Sequence, residues 1–225
     1  MSKEKKNKKR KMKKGIRRLL IILILLVLLG IIVFYLINNF TSKAPKKTVK
    51  VIDEISEYGY TLDDNETKLY KDLFKQLSKT LSKDNIDEKE YSELVCKLFV
   101  ADFYNLDNKI TKNDVGGTQF IHSEAVDNFV LKAKDTLYKG VKSDIYGDRE
   151  QDLPIVTEIN LDEVKNTTFK YNDSEVDAYS VILNWKYKTD LDYDDEKEFV
   201  LIKEEKKLSI VELNNVNKNT STDKN

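Results

Sequence analysis

Residues 177–188 read DAYSVILNWKYK. Tyr179, Val181, Leu183, Trp185 and Tyr187 alternate with Ser180, Ile182, Asn184, Lys186 and Lys188. A strand places successive side chains on opposite faces, so this period of two over the whole segment predicts a β-strand with one buried face. Glu198–Lys203 and Lys207–Leu213 follow as two more strands, joined by a tight Glu204-Glu205-Lys206 turn. Upstream, Pro154 leads a short strand at Ile155–Ile159, and Thr167–Tyr171 reads as another.

Ahead of these strands the period changes. Leu69, Leu73, Leu77 and Leu81 recur every fourth residue within 66–83, flanked by Tyr70 and Phe74, which predicts an amphipathic helix. A second helix opens at Asp87, with Glu90 at capping-box spacing, and carries Tyr91, Leu94, Val95, Leu98, Phe99 and Phe103 on its apolar side. Asn, Asp and the pair Gly116-Gly117 break the pattern between 105 and 117. Ser123 then caps a third helix bearing Val126, Phe129, Val130, Ala133 and Leu137. Helices first and sequential strands after predict an α+β fold, with three helices packed on one face of an antiparallel sheet.

The N-terminal region has a different chemistry. Leu19–Ile37 reads LLIILILLVLLGIIVFYLI without a charge. At about 1.5 Å per residue it forms about 28 Å of helix, close to the roughly 30 Å hydrocarbon core of a bilayer. Eleven Lys or Arg lie in the eighteen residues before it, against the single anion Glu4. The positive-inside rule then places the N-terminus in the cytoplasm and the remainder outside the cell membrane. The run is too long for a signal-peptide core, and Asn38-Asn39-Phe40-Thr41-Ser42 offers no small-x-small cleavage site. The expected organisation is a basic tail at 1–18, a membrane helix at 19–37, a stalk or linker at 38–60, one α+β domain at 61–213 and a disordered tail at 214–225.

The formal net charge of zero hides a split: +10 within residues 1–18 and −10 beyond them. An acidic outer part argues against nucleic acid as a partner there. One Cys in 225 residues excludes an intrachain disulfide. Richness in Lys, Asn, Asp and Ile gives the composition a bacterial flavour. In that setting the sequons at Asn65, Asn166, Asn172 and Asn219 are chance matches.

Three amphipathic helices followed by antiparallel strands, the Trp185 strand and the closing segment FVLIKEEKKLSIVEL at 199–213 resemble the NTF2-like, cystatin-like cone fold. Leu208 stands where an aromatic residue is common in that superfamily. Combined with a basic tail and one membrane helix, the arrangement also resembles the VirB8 and TcpC-like assembly proteins of conjugation and secretion systems. The resemblance implies a curved antiparallel sheet and an extracytoplasmic domain that mediates protein–protein assembly in the cell envelope. It also implies an alternative, a small-molecule-binding or minor enzymatic domain using the cone cavity. Fold alone does not select between them.

No catalytic residue, metal ligand or cofactor is assigned from the sequence. His122 is the only histidine and reads as a lone surface or capping residue. Cys96, mid-helix, reads as a buried structural thiol. Asp190, Asp192 and Asp194 have the spacing of a calcium loop. Asp195 replaces its required Gly, however, and Leu201 its closing Glu, which leaves a solvated hairpin loop. Gly116-Gly117 lacks the Lys and the strand of a phosphate loop and reads as a bend. NTF2-like enzymes use an acidic residue with a Tyr at the open end of the cone, which draws attention to Asp102 with Tyr104 and to Asp114. The candidate pocket lining is Phe99, Asp102, Phe103, Tyr179, Trp185 and Tyr187, although such an aromatic set is more often plain helix–sheet core. Expected partners are membrane lipid through 19–37, and envelope proteins or a second copy of the chain.

Overall fold

A computed structural model of the protein describes residues 14–40 and 47–216. The chain divides into two units, one ending at Lys46 and one beginning at Lys47. Most of the expected basic tail (1–13), part of the expected stalk (41–46) and the C-terminal residues from 217 lie outside the described residues.

The first unit holds helix α1, Lys14–Phe40. Its described leucines, isoleucines and valines from Leu19 to Val33 are 41–69% exposed, so the helix is apolar around its whole circumference. Among the described residues, no helix is long and apolar enough to cross a membrane. The described apolar side chains stop at Val33, while the helical backbone continues to Phe40.

The second unit opens with a hairpin, β1 (Val51–Ile55) and β2 (Tyr60–Asp63). Gly59 turns the chain at φ 69°, a left-handed conformation open to glycine at little cost. This corrects the expected linker at 38–60. Lys47 already donates its backbone N–H to Ile145 O at 2.8 Å and pairs its ammonium with Asp144. Tyr60 is fully buried, donates to Leu208 O at 3.1 Å and shares a 2.8 Å hydrogen bond with the Tyr91 hydroxyl. The linker expectation failed because β1 is exposed along most of its length and shows no apolar alternation.

Helix α2 runs Lys68–Leu81, capped by Thr67 Oγ1, which accepts from Tyr70 N at 3.1 Å. Helix α3 spans Glu88–Phe103, with Asp87 capping Lys89 N and Glu90 N. The reciprocal half of the capping box is not made, because Glu90 instead accepts from Thr80 Oγ1 and Lys83 Nζ. Both apolar stripes read from the sequence face inward. Helix α3 is buried on nearly all sides and lies against the sheet. The third expected helix is a 3-10 turn at Ser123–Ala125 that leads into α4, Val126–Asp135.

The main sheet is antiparallel with order β3-β4-β5-β6. The two short strands expected before residue 172 are one strand, β3 (Val156–Tyr171), irregular in register between Val156 and Glu158 and between Leu161 and Glu163. Polar residues between the two apolar runs hid this continuity; the strand sits at a sheet edge, where polar side chains and bulges are tolerated. Asn172 and Asp173, at φ 48° and 62°, make the two-residue turn into β4 (Ser174–Tyr187). β5 (Glu196–Glu204) and β6 (Lys207–Asn214) complete the sheet, so Asn214 belongs to the fold rather than to a tail.

Val181, Leu183 and Trp185 of β4, Phe199 and Leu201 of β5, and Leu208 and Ile210 of β6 join the helices in the main core. The alternation expected for 177–188 is observed from Val181 to Lys188, whereas Ala178 and Ser180 ahead of it are buried on the other face. A second, smaller apolar cluster gathers Ala178, Val200 and Ile202, with Phe169, Tyr171, Val176 and Val211 packed on it.

Candidate functional site

Among the hollows of the described residues, two flank the end of α3, one polar and one aromatic. The polar chamber measures about 210 Å³ and forms where the end of α3 meets the loop through Gly117. Its centre is Asp102, on the last turn of α3. One Asp102 oxygen takes the ammonium of Lys109; the other accepts from Gly117 N at 2.6 Å. The Lys109 side chain is 3% exposed, and Glu66 lies 4.0 Å from its ammonium.

The glycine pair makes this approach sterically feasible. A Cβ on Gly116 would sit 2.3 Å from Asp102 Oδ1 and 2.6 Å from its backbone oxygen. One on Gly117, at φ 74°, would meet the Phe99 ring at 2.7 Å. Gly116-Gly117 is therefore more than a bend. Tyr138 completes the lock, donating to Phe103 O at 2.7 Å and accepting from Gly116 N at 3.1 Å.

The electrostatics follow from burial. Desolvation, helped by the Asp102 charge, pushes the Glu66 carboxyl up to about 8. Burial pushes Lys109 down, but Asp102 and Glu66 outweigh it and leave the ammonium above its ordinary range. Asp63 is raised by burial and then by Asp102. Most polar groups here are satisfied within the chain: Gln119 accepts from Thr61 N at 2.8 Å and donates to Tyr70 hydroxyl at 2.8 Å. Asn65 Oδ1 is buried without a partner. Chemically, the chamber holds a buried cation held by Asp102, beside a second carboxyl, Glu66, that burial pushes well above its ordinary range.

The aromatic hollow lies between α4 and the sheet and measures about 360 Å³. Phe103, Tyr104 and Phe129 line it, and the charged side chains Lys132, Asp194 and Lys197 also border it. Phe103 stands 5.0 Å from both the Tyr104 and the Phe129 ring centroids.

The structure does not gather the six expected pocket residues around one cavity. Asp102 faces the polar chamber, and Phe103 faces the aromatic hollow. Phe99 and Trp185 are core residues, 0% and 2% exposed. Phe99 packs on Phe103 and Phe199, and Trp185 lies 4.6 Å from the Tyr104 ring. Tyr179 is half-buried beside a separate hollow with Tyr171 and His122. Tyr187 is half-buried, and its hydroxyl donates to Asp194 O at 2.8 Å.

Of the two readings of His122, surface or capping, the structure bears out the second: His122 caps the Ser123–Ala125 turn and is buried. It is 6% exposed, its Nδ1 accepts from Glu124 N, and its ring stands 5.2 Å from Tyr171. Cys96 is fully buried, and desolvation pushes its thiol up, away from the reactive thiolate. In the Asp190–Asp195 loop, Asp192 N donates to Asp190 Oδ1, and Asp194 pairs with Lys197. Among the described residues no group of three or more His, Cys, Asp or Glu is arranged to hold a metal ion.

Sequence reasoning missed Lys109, Glu66 and Lys197. Lys109 sits in DNKITKND, which reads as a solvated loop. Lys197 did carry a signal, because it shares the strand parity of Phe199 and Leu201. Comparison with protein-family models, with curated proteins and with solved structures returned no match.

Proposed function

We propose that this chain is a single-pass membrane protein, held by Leu19–Ile37, whose acidic α+β domain lies outside the cell membrane and mediates protein–protein assembly in the bacterial envelope. The observation that carries this reading is the uncharged run Leu19–Ile37, set inside one uninterrupted helical backbone and preceded by a strongly basic segment. An apolar helix exposed on every side is costly in water and stable in lipid. The basic flank sets its direction and rests on anionic lipid.

Two features of the domain suit assembly. Among the described residues, β3 has a strand neighbour on one side only, over sixteen residues. Such an edge can accept a strand from a partner, and its bulges and charges guard against indiscriminate pairing. The apolar cluster around Ala178, Val200 and Ile202 lies apart from the main core. Tethering in a membrane raises the effective concentration of neighbours and lets modest contacts suffice. Within this proposal, the domain is an NTF2-like module of the kind found in conjugation and secretion assemblies.

The test combines fractionation with cross-linking. The chain is expected in carbonate-washed membranes, with a cysteine introduced at the exposed Lys139 labelled by a membrane-impermeant maleimide on intact cells while the buried Cys96 is spared. A photo-cross-linker at Asn166 or Thr168 of β3 is expected to trap a discrete protein adduct, whereas one at Lys139 traps none. Recovery in the soluble fraction, or no adduct at either β3 position, defeats the reading.

A further inference from the structure

We infer that the aromatic hollow between α4 and the sheet binds a small amphiphilic anion, a medium-length alkyl chain ending in a carboxylate. This goes beyond the assembly role and does not depend on it. The starting point is the placement of Lys197. It pairs across the sheet with Leu183 and shares a face with Phe199 and Leu201, all three fully buried. A lysine on the core side of a sheet is anomalous unless something answers its charge. The Lys197 side chain is only 13% exposed, and its ammonium meets Asp194 at 2.9 Å and the side chain of Asn215.

Asp194 is a loose partner, 65% exposed. Its carboxylate can return to water at little cost, since exposed ion pairs contribute only about 0–1 kcal/mol. A ligand carboxylate can then take its place on Lys197. Lys132, in the last turn of α4, adds a second cation beside the same hollow. Two cations against one replaceable anion select an anionic head group, within a domain whose overall charge is negative.

The remaining walls select the tail. Phe103, Tyr104 and Phe129 line the hollow with rings, and Leu137 and Leu213 add aliphatic surface. Apolar cavities of this kind take up apolar molecules readily. A volume of about 360 Å³ falls at the small end of ligand sites, enough for a short chain and too little for a polycyclic lipid.

Trp185 is the only tryptophan of the chain and lies 4.6 Å from the cavity-lining Tyr104 ring, which makes it a reporter. The full chain, labelled with 5-fluorotryptophan and held in lipid nanodiscs, is titrated with octanoate and, separately, with octylammonium, followed by fluorine NMR. Octanoate is expected to shift the Trp185 resonance saturably, and octylammonium to bind at least tenfold more weakly. Lys197→Met is expected to weaken octanoate tenfold or more, and Asp194→Asn to tighten it severalfold. Thr136→Trp, with its own assigned resonance, plugs the hollow from its exposed rim and is expected to abolish the shift while the Trp185 line stays dispersed. A linear, unsaturable response shared by wild type and Thr136→Trp means partition into lipid and overturns the site. Equal affinity for octylammonium, or an unchanged Lys197→Met, overturns the head-group assignment.

Discussion

The ammonium of Lys109 rests on the carboxylate of Asp102, and the two side chains are 3% and 10% exposed. The pair fastens the loop after α3 back onto the end of that helix. Lys109→Met leaves a buried carboxylate without its cation. Breaking a buried pair from one side costs about 3–5 kcal/mol, which lowers the melting temperature of a domain this size by roughly 10 °C. The double variant Asp102→Asn/Lys109→Met is expected to lose clearly less than the sum of its singles. Thermal unfolding of the four proteins in one detergent measures the coupling, and strict additivity refutes it.

Glu66 gives the fold a pH dependence of definite sign. Burial, then Asp102, raises its carboxyl from the ordinary value of 4.5 to about 8. The folded state therefore holds a proton that the unfolded chain has released. The resulting stability is fully present below about pH 4.5 and is lost as pH rises toward 8, by an amount of order 1–4 kcal/mol. Glu66→Gln keeps the shape and removes the titration. Its melting temperature is expected to fall less than the wild type's between pH 5 and 8.5. Parallel curves across that range contradict the assignment.

Much of the fold was legible because its signals are periodic. The leucine stripe of α2, the apolar side of α3 and the alternation of β4 from Val181 onward each bury the side chains that their spacing selects. The β1–β2 hairpin was hidden because only a few side chains, such as Tyr60 and Leu62, enter the core. The polar chamber was invisible for a different reason. Glu66, Asp102 and Lys109 come together through a loop without period, and burial of Lys109 depends on partners distant in sequence. The aromatic set was identified as aromatic, but α3 sends Asp102 and Phe103 to opposite hollows because neighbouring helical residues point about 100° apart.

Gly116 and Gly140 form a matched pair for testing the close approach to Asp102. A Cβ at Gly116 overlaps the Asp102 carboxylate and backbone, whereas nothing lies within 4 Å of one at Gly140. Gly116→Ala is expected to destabilise by about 1–3 kcal/mol through overpacking. Gly140→Ala, away from such features, should stay within about 0.5 kcal/mol of wild type. Chemical denaturation of both variants decides it, and equal midpoints would remove the steric role given to Gly116.

Tyr60 determines where the folded domain begins. Its hydroxyl links β2 to Leu208 of β6 and to Tyr91 of α3, and the Tyr91 hydroxyl in turn accepts from Leu208 N at 3.1 Å. Tyr60→Phe leaves Leu208 O buried without this donor, at a cost of about 1–3 kcal/mol. A fragment starting at Lys47 keeps the hairpin and the Lys47–Asp144 pair, and is expected to resist proteolysis. A fragment starting at Thr61 loses β1, Tyr60 and that pair together. It exposes the apolar surface that the Tyr60 ring covers near Phe120 and Tyr91, and should be digested at least tenfold faster. Equal resistance of the two fragments would return residues 47–60 to the role of a linker.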